Sequence, residues 1–252
     1  MAFCIFKIKH LPFPKPLILF YLLLMFTDFF SPLRPFTSVL SFNFPSFNSC
    51  NADSPLRCEG TLAQVYDPAI QLTNNFQGQV GRATYFSPIH LWDKASRNLT
   101  DFTTNFSFVI DSNKSTNYGD GHAFFLAPTG STIPDDSTSG TMALTKHSEA
   151  KVNSTNNTFV AVEFDIYSNT WDPSGVHVGI DINSMISVAN VSWLGANISI
   201  MEKRKNEAPI SYNSSSHNLS VLFTGLRNNT IVWQSLSYNI DLRDHLPEWV
   251  TL

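Results

Sequence analysis

Apolar and polar positions alternate along most of this chain in short runs separated by turn residues, the period of half-buried strands rather than of helices. Leu40–Phe47 (LSFNFPSF) reads as a strand with Pro45 near an edge. Thr61–Tyr66 and Ala69–Leu72 are short strands, TNNFQGQVG is turn-rich, and GRATYFSPIHLW returns to strand with Pro88 at an edge or bend. In Phe102–Ile110 (FTTNFSFVI), Phe102, Phe106 and Phe108 share one parity and should face a core. After a tight turn at Tyr118–Gly121 comes the apolar strand HAFFLAP, then an exposed loop from Thr129 to Ser139. Met142–Leu144 is expected to be a short strand and Lys146–Asn157 a polar loop. Downstream, VSWLG, NISIMEKR, APISYN, NLSVLFTG, TIVWQSLSYNI and DLRDHLPEWV continue the rhythm, with a helical turn expected only around Leu242–Leu246. Many short strands with frequent turns predict one all-β sandwich, without a second domain or an internal repeat.

Within this pattern, Val160–Ser187 holds the candidate chemistry. Val160, Val162 and Phe164 fall on one strand face, read here as the outward one, while Glu163 and Asp165 share the other. Two carboxylates on one face repel unless a cation sits between them. The following residues offer more ligands: Asn169 and Asp172 in a turn closed by Pro173, then His177 opening a second alternating strand, HVGIDIN. Hard oxygen donors suit Ca2+ and an imidazole beside carboxylates suits a transition metal such as Mn2+, so the mixture points to two adjacent ions. Taken singly, EFD also reads as a strand edge, WDP as an ordinary turn and His177 as a surface residue; the ordered set carries the argument. An EF-hand loop is excluded by the donor spacing. A retaining β-glucanase would place a third carboxylate two residues after Asp165, where this chain has Tyr167.

Composition narrows the partner. Phenylalanine is abundant, with 21 residues, and charged residues are only 14% of the chain, which suits strands and a glycan-facing surface. Of the formal net charge of −4, the first 38 residues hold +3 (Lys7, Lys9, Lys15 and Arg34 against Asp28), so the remainder carries −7. That excludes nucleic acid and acidic lipid as expected partners. Those first residues read as a secretory signal, in which Lys7, Lys9 and Lys15 precede the apolar run Leu17–Phe26 and cleavage falls within Phe36–Ser41. Lengthened by its flanking phenylalanines, the same run would serve as a signal anchor. Past it, no stretch is apolar enough to cross a membrane. Cys4 leaves with the signal, and Cys50 and Cys58 remain as an even pair able to close a short loop in an oxidising compartment. Sequons begin at Asn98, Asn105, Asn113, Asn153, Asn156, Asn190, Asn197, Asn213, Asn218 and Asn228, which also favours export.

From about Leu40 to Leu252 the chain resembles the legume (L-type) lectins, most closely the lectin ectodomains of plant lectin receptor kinases. The resemblance rests on SFNFPSFN, IQLTNN with VGRATYFSPIHLWD, LTDFTTNFSFVID, GDGHAFFLAP, VAVEFDIYSNTWDPSGVHVGIDINS and LPEWV, in that order. It implies residues 1–38 as signal peptide and 39–252 as a concanavalin-like jelly-roll sandwich, whose curved front sheet carries the loops for Ca2+, Mn2+ and a sugar. By position, Glu163, Asp165, Asp172 and His177 would bind the transition metal, with Ser187 holding one of its waters. Asp165, the Tyr167 carbonyl, Asn169 and Asp172 would bind calcium. Asp120 would accept hydrogen bonds from two sugar hydroxyls, Gly140 would offer its backbone N–H, Asn169 its side-chain amide and Tyr167 its ring. The implied activity is binding without catalysis, weak per site and strengthened by several copies or clustered glycans, so a homo-oligomer is compatible with it.

Three departures from the family pattern stand out. Gly119 precedes Asp120 where the family has a cis bond usually after alanine, and Ala143 stands where a second glycine is usual. The sequence stops at LPEWVTL, where the family continues into a strand like VGFSAATG and a sugar-contacting loop. The expectation is therefore a sandwich short of its last strand, with an unpaired edge and marginal stability. A membrane partner enters only if the full gene product is a receptor. Beside the secreted or extracellular glycan-binding module stand two alternatives, a lectin-fold interaction module that binds no sugar and, against Tyr167, a jelly-roll glycoside hydrolase.

Overall fold

The computed structural model describes residues 4–9, 40–50, 54–60, 63–66 and 68–252. Most of the predicted signal segment lies outside them. The strands are β1 (Cys4–Lys9), β2 (Ser41–Phe44), β3 (Leu56–Glu59), β4 (Gln64–Tyr66), β5 (Ala69–Gln71), β6 (Arg82–Tyr85), β7 (Ile89–His90) and β8 (Asp101–Phe108). They continue with β9 (Gly121–Pro128), β10 (Val160–Asp165), β11 (His177–Ile182), β12 (Ala189–Ser192), β13 (Asn206–Asn213), β14 (Asn218–Arg227), β15 (Thr230–Asn239) and β16 (Trp249–Thr251). One sheet runs β15-β14-β13-β8-β1-β2 and the other β12-β11-β10-β9-β16-β7. All these pairings are antiparallel, as strands joined by short loops require. The all-β jelly-roll expectation holds.

The main core lies between the sheets. The phenylalanines at 102, 106 and 108 on β8 face it as their parity demands, meeting Leu126, Val160, Val162, Phe164, Val178 and Ile180 from the second sheet. Phe164 is fully buried, with its ring centroid 4.8 Å from that of Phe108 and 5.5 Å from that of Trp193. Reading Val160, Val162 and Phe164 as the outward face is therefore corrected: they form the inner face. The opposite face of β10 is buried too, because a smaller apolar cluster of Phe125, Ala127, Leu144, Ala150, Phe159, Ala161 and Met185 covers it. A strand covered on both sides has no outward face.

Two local expectations also change. NISIMEKR does not extend as a strand; Ala196–Met201 is a short α-helix (α1), burying Ala196, Ser199 and Ile200 at helical spacing. Met142–Leu144 is a turn after a single 3-10 turn at Ser139–Thr141, with Met142 and Ala143 at φ 48° and 62°. The helical turn expected around Leu242–Leu246 is present as a 3-10 turn at Leu242–Asp244. Among the described residues, β1 lies between β8 and β2 in the first sheet.

Cys50 and Cys58 form a disulfide, with Cα atoms 5.3 Å apart and a sequence separation of 8. Closing so short a loop restricts the unfolded chain modestly. Replacing both cysteines by serine is expected to lower unfolding stability by about 2–3 kcal/mol, measured by urea titration.

Candidate metal and ligand site

Register alone assembles the acidic cluster. β10 pairs with β11 so that Asp165 lies opposite His177, Glu163 opposite Gly179 and Ala161 opposite Asp181. Directly opposed residues share a face, so Glu163, Asp165, His177 and Asp181 all project from the same side of the sheet. Gly179 is a requirement of this face. A Cβ there would sit 2.2 Å from Ser187 Oγ and 2.6 Å from Glu163 Oε1.

One ligand atom from each of Glu163, Asp165 and His177 lies within 4.8 Å of the others, and all three residues are buried. Glu163 Oε1 accepts from Ser187 Oγ at 2.6 Å and lies 3.0 Å from His177 Nε2. The Gly175 carbonyl, 3.2 Å from His177 Nδ1, favours the proton on that nitrogen and leaves Nε2 facing the carboxylates. Asp172 stands outside this close group. Its Oδ2 accepts from Asn169 N at 2.5 Å, while the Tyr167 N–H donates to Asp165 Oδ1 at 2.7 Å. These two bonds wrap residues 165–172 into a loop at the end of β10, with Asp172 close enough for its charge to act on Asp165.

The electrostatics of the cluster call for positive charge. Burial, then the charges of Glu163 and Asp172, push Asp165 up to about 8. Burial also raises Asp172, and burial with neighbouring Glu163 raises Asp181 well above its ordinary value. Burial alone would lower His177, but Glu163, with Asp165 and the Gly175 carbonyl, outweighs it and the imidazole is raised. Glu163 Oε2, Asp165 Oδ2, Asp172 Oδ1 and both oxygens of Asp181 are buried without a hydrogen-bond partner. Buried oxygens left this way cost free energy that a divalent ion recovers. The close group of Glu163, Asp165 and His177 therefore suits a divalent ion.

A second group, His90, Asp93 and Glu248, differs in kind. Glu248 Oε1 already takes bonds from His90 Nε2 at 2.9 Å and Lys94 N at 3.3 Å, and Asp93 Oδ1 takes two from Ser96. It is a satisfied surface network that ties β7 to the chain before β16.

Beside the buried cluster, the loop before β9 meets the end of β10. The Asp120 carbonyl accepts from Ile166 N at 2.8 Å, docking the loop before β9 onto the end of β10, and the Gly119–Asp120 peptide is cis. Burial raises the Asp120 carboxyl, offset in part by Asn169 and Ser139 beside it. The Gly140 Cα faces the Asn169 amide so closely that a Cβ would fall 2.3 Å from Nδ2. Asn169 Nδ2 is itself buried without a hydrogen-bond partner. Tyr167 is 49% exposed, and its ring base lies against Gly119, where a Cβ would meet the Tyr167 Cβ at 3.0 Å. Every residue singled out in the sequence for this region is thus brought to one end of β10. Three that were not singled out join them: Gly179 and Asp181, which share the parity of His177 in HVGIDIN, and Ser139, which no local pattern marks.

The family model of the legume lectin domain matches residues 39–252. This chain belongs to the legume lectin family. It is 40% identical over 218 residues to Agglutinin-2 of Cladrastis kentukea, covering 84% of this chain and 72% of that one. Among solved structures, peanut lectin with a nine-residue peptide superposes with a TM-score of 0.73 at 35% identity, covering 84% of this chain and 86% of that one. Lectin UEA-II complexed with galactose gives 0.72 at 31%, covering 84% and 87%. The chain is accordingly a lectin domain, and its relatives are binding proteins rather than enzymes, which sets aside the glycoside-hydrolase alternative.

Proposed function

We propose that this lectin domain binds glycans in the pocket formed by Asp120, Gly140, Tyr167 and Asn169, with Glu163, Asp165, Asp172, His177 and Ser187 holding Mn2+ and Ca2+ behind it. The observation that carries the reading is Asn169. Its buried Nδ2 makes no close hydrogen bond, yet it lies near enough to the Asp120 carboxylate to stabilise its charge, with Gly140 against it and the acidic cluster on the same loop. Bound divalent ions supply fixed positive charge that keeps the 165–172 loop in its ligand-binding shape. Asn169 then donates to one sugar hydroxyl while Asp120, an acceptor on two oxygens, takes the hydrogens of two. The half-exposed Tyr167 ring covers the apolar C–H face of the pyranose.

We further propose that residues 1–38 are removed on export and that the domain acts outside the cell, as part of or derived from a plant lectin receptor kinase. The basic-then-apolar leader, the disulfide and the sequons support this reading. A glycan array probed in Ca2+ and Mn2+ tests the function. Binding to at least one glycan class, competed by the free sugar, is the expected result.

A second reading, a lectin-fold interaction module, has one observation in its favour. Leu222, Ile231 and Trp233, 48%, 60% and 55% exposed, line an apolar stripe on the outer face of β14 and β15. A blank array with a folded, metal-loaded protein would favour that reading. Within the sugar-binding reading, Gly140→Ala should push the Asn169 amide aside and weaken binding about tenfold, a loss of about 1.4 kcal/mol measurable by titration calorimetry.

A further inference from the structure

The sheet that contains β8 presents on its outer face a sequon that the fold singles out. On β8, Phe102, Phe106 and Phe108 turn into the core, so Asn105 and Ser107, on the other parity, project outward. Asn105 is exposed, and with Phe106 and Ser107 it forms the sequon Asn-Phe-Ser. Ser107 is the unusual member. It lies opposite Glu207, is buried, and its Oγ has no hydrogen-bond partner. A buried hydroxyl left in this state costs free energy that an alanine there would not, so the folded domain gains nothing from it. Other sequon hydroxyls do serve the fold: Thr100 Oγ1 donates to the His90 carbonyl at 3.2 Å, and Ser199 Oγ donates to Asn206 Oδ1 at 2.9 Å.

Register fixes what stands beside Asn105. It lies opposite Pro209 on β13; Ile210 lies opposite Val221, so one step along each strand sets Pro209 beside Leu222 on β14, and Leu222 lies opposite Ser235 on β15. Opposed residues share a face, so Asn105, Pro209, Leu222 and Ser235 form one uncharged row across the outside of the sheet. With strands about 4.8 Å apart, Leu222 is about 10 Å from Asn105. Leu222 is also exposed, and from it the apolar stripe continues to Trp233 and Ile231.

We propose that Asn105 of the exported chain is N-glycosylated and that its glycan lies over Pro209 and Leu222, covering that end of the apolar stripe. Asn105 Nδ2 forms a bond to C1 of an oligosaccharide carried on a lipid pyrophosphate; the C1–O bond breaks, the pyrophosphate leaves with the electron pair, and the amide nitrogen releases one proton. The attached oligosaccharide is bulky and solubilising, and the C–H faces of its rings suit apolar side chains such as Pro209 and Leu222. Transfer precedes folding, because Phe106 and Ser107 are buried once β8 joins the sheet. The proposal rests on the export reading and goes beyond it in naming the acceptor and the surface that the glycan shields.

The test uses the full chain expressed in plant cells and treated with a peptide-N-glycosidase in heavy-oxygen water, which turns each glycan-bearing asparagine into a labelled aspartate. Peptide mass mapping should find the label at Asn105, and not in a control without the enzyme. Label at other sequons with Asn105 bare overturns the proposal and leaves export standing; label at no sequon overturns both. Ser107→Ala removes the acceptor signal while keeping the Asn105 side chain and losing no hydrogen bond, and Asn105→Gln is the second variant. In hydroxyl-radical footprinting, oxidation at Leu222 should rise at least threefold in both variants, with Trp249 on the other sheet unchanged. Unchanged oxidation at Leu222 in folded variants that lack the glycan overturns the covering.

Discussion

Asn169→Ala is expected to weaken glycan binding about a hundredfold or more while leaving the sandwich folded. Asn169 serves both halves of the site through its side chain. Its amide nitrogen is buried beside the Asp120 carboxylate and Gly140 without a close hydrogen bond, and its backbone N–H anchors Asp172. Alanine keeps the backbone bond and removes the side chain, so the 165–172 turn should survive while the sugar donor and one calcium oxygen vanish together. Losing one buried hydrogen bond and one metal ligand costs about 2–3 kcal/mol, and a tenfold change corresponds to about 1.4 kcal/mol. Asn169→Asp separates the two roles. It restores an oxygen for calcium without the donor, so metal affinity should recover and sugar binding should not. Calorimetric titration with metal and with sugar on the same samples reads both. Sugar affinity within threefold of the unmodified chain in Asn169→Ala would remove Asn169 from the pocket.

Gly179→Ala is the second large effect, and it acts on the metal side. The added methyl would overlap Ser187 Oγ and Glu163 Oε1, neither of which can retreat, because Glu163 is fully buried and held by His177 and Ser187. The carboxylate must rotate or β11 must shift. Either movement misplaces a donor, and disturbed support of this kind lowers metal affinity by roughly 10–100-fold. The methyl also overpacks a buried face, at a cost of about 1–3 kcal/mol. Mn2+ titration and thermal melting, with and without the ion, measure the two parts. A variant that binds Mn2+ with unchanged affinity would show that Glu163 does not need its observed rotamer.

What could be read from the sequence follows physical range. The acidic cluster was legible because its members share parity on two adjacent strands: Glu163 and Asp165 are two apart, and His177 opens the partner strand. The same alternation misassigned Val160, Val162 and Phe164, because period two says which residues share a face, not what covers it. Here the loop cluster around Leu144, Ala150 and Met185 buries the second face. NISIMEKR alternates Ile198 and Ile200 as a strand would, yet Ala196, Ser199 and Ile200 also fit a helical face, and the helix formed. The pocket itself was out of reach of local pattern. Asp120, Ser139 and Gly140 come from loops far from Asn169 in the chain, and only resemblance to the lectins pointed at Asp120 and Gly140. Ser139 has no such pointer and appears only once the fold brings it beside Asp120.

In the proposed function, the acidic cluster at the end of β10 shapes the sugar pocket through bound divalent ions. Titration calorimetry on a glycan that the array identifies, run before chelation, after exhaustive EDTA treatment at mildly acidic pH, and after return of Ca2+ and Mn2+, tests it most directly. The expected result is loss of measurable sugar binding in the stripped protein and full recovery on adding back both ions. Undiminished sugar affinity in protein shown by elemental analysis to be metal-free would contradict the claim.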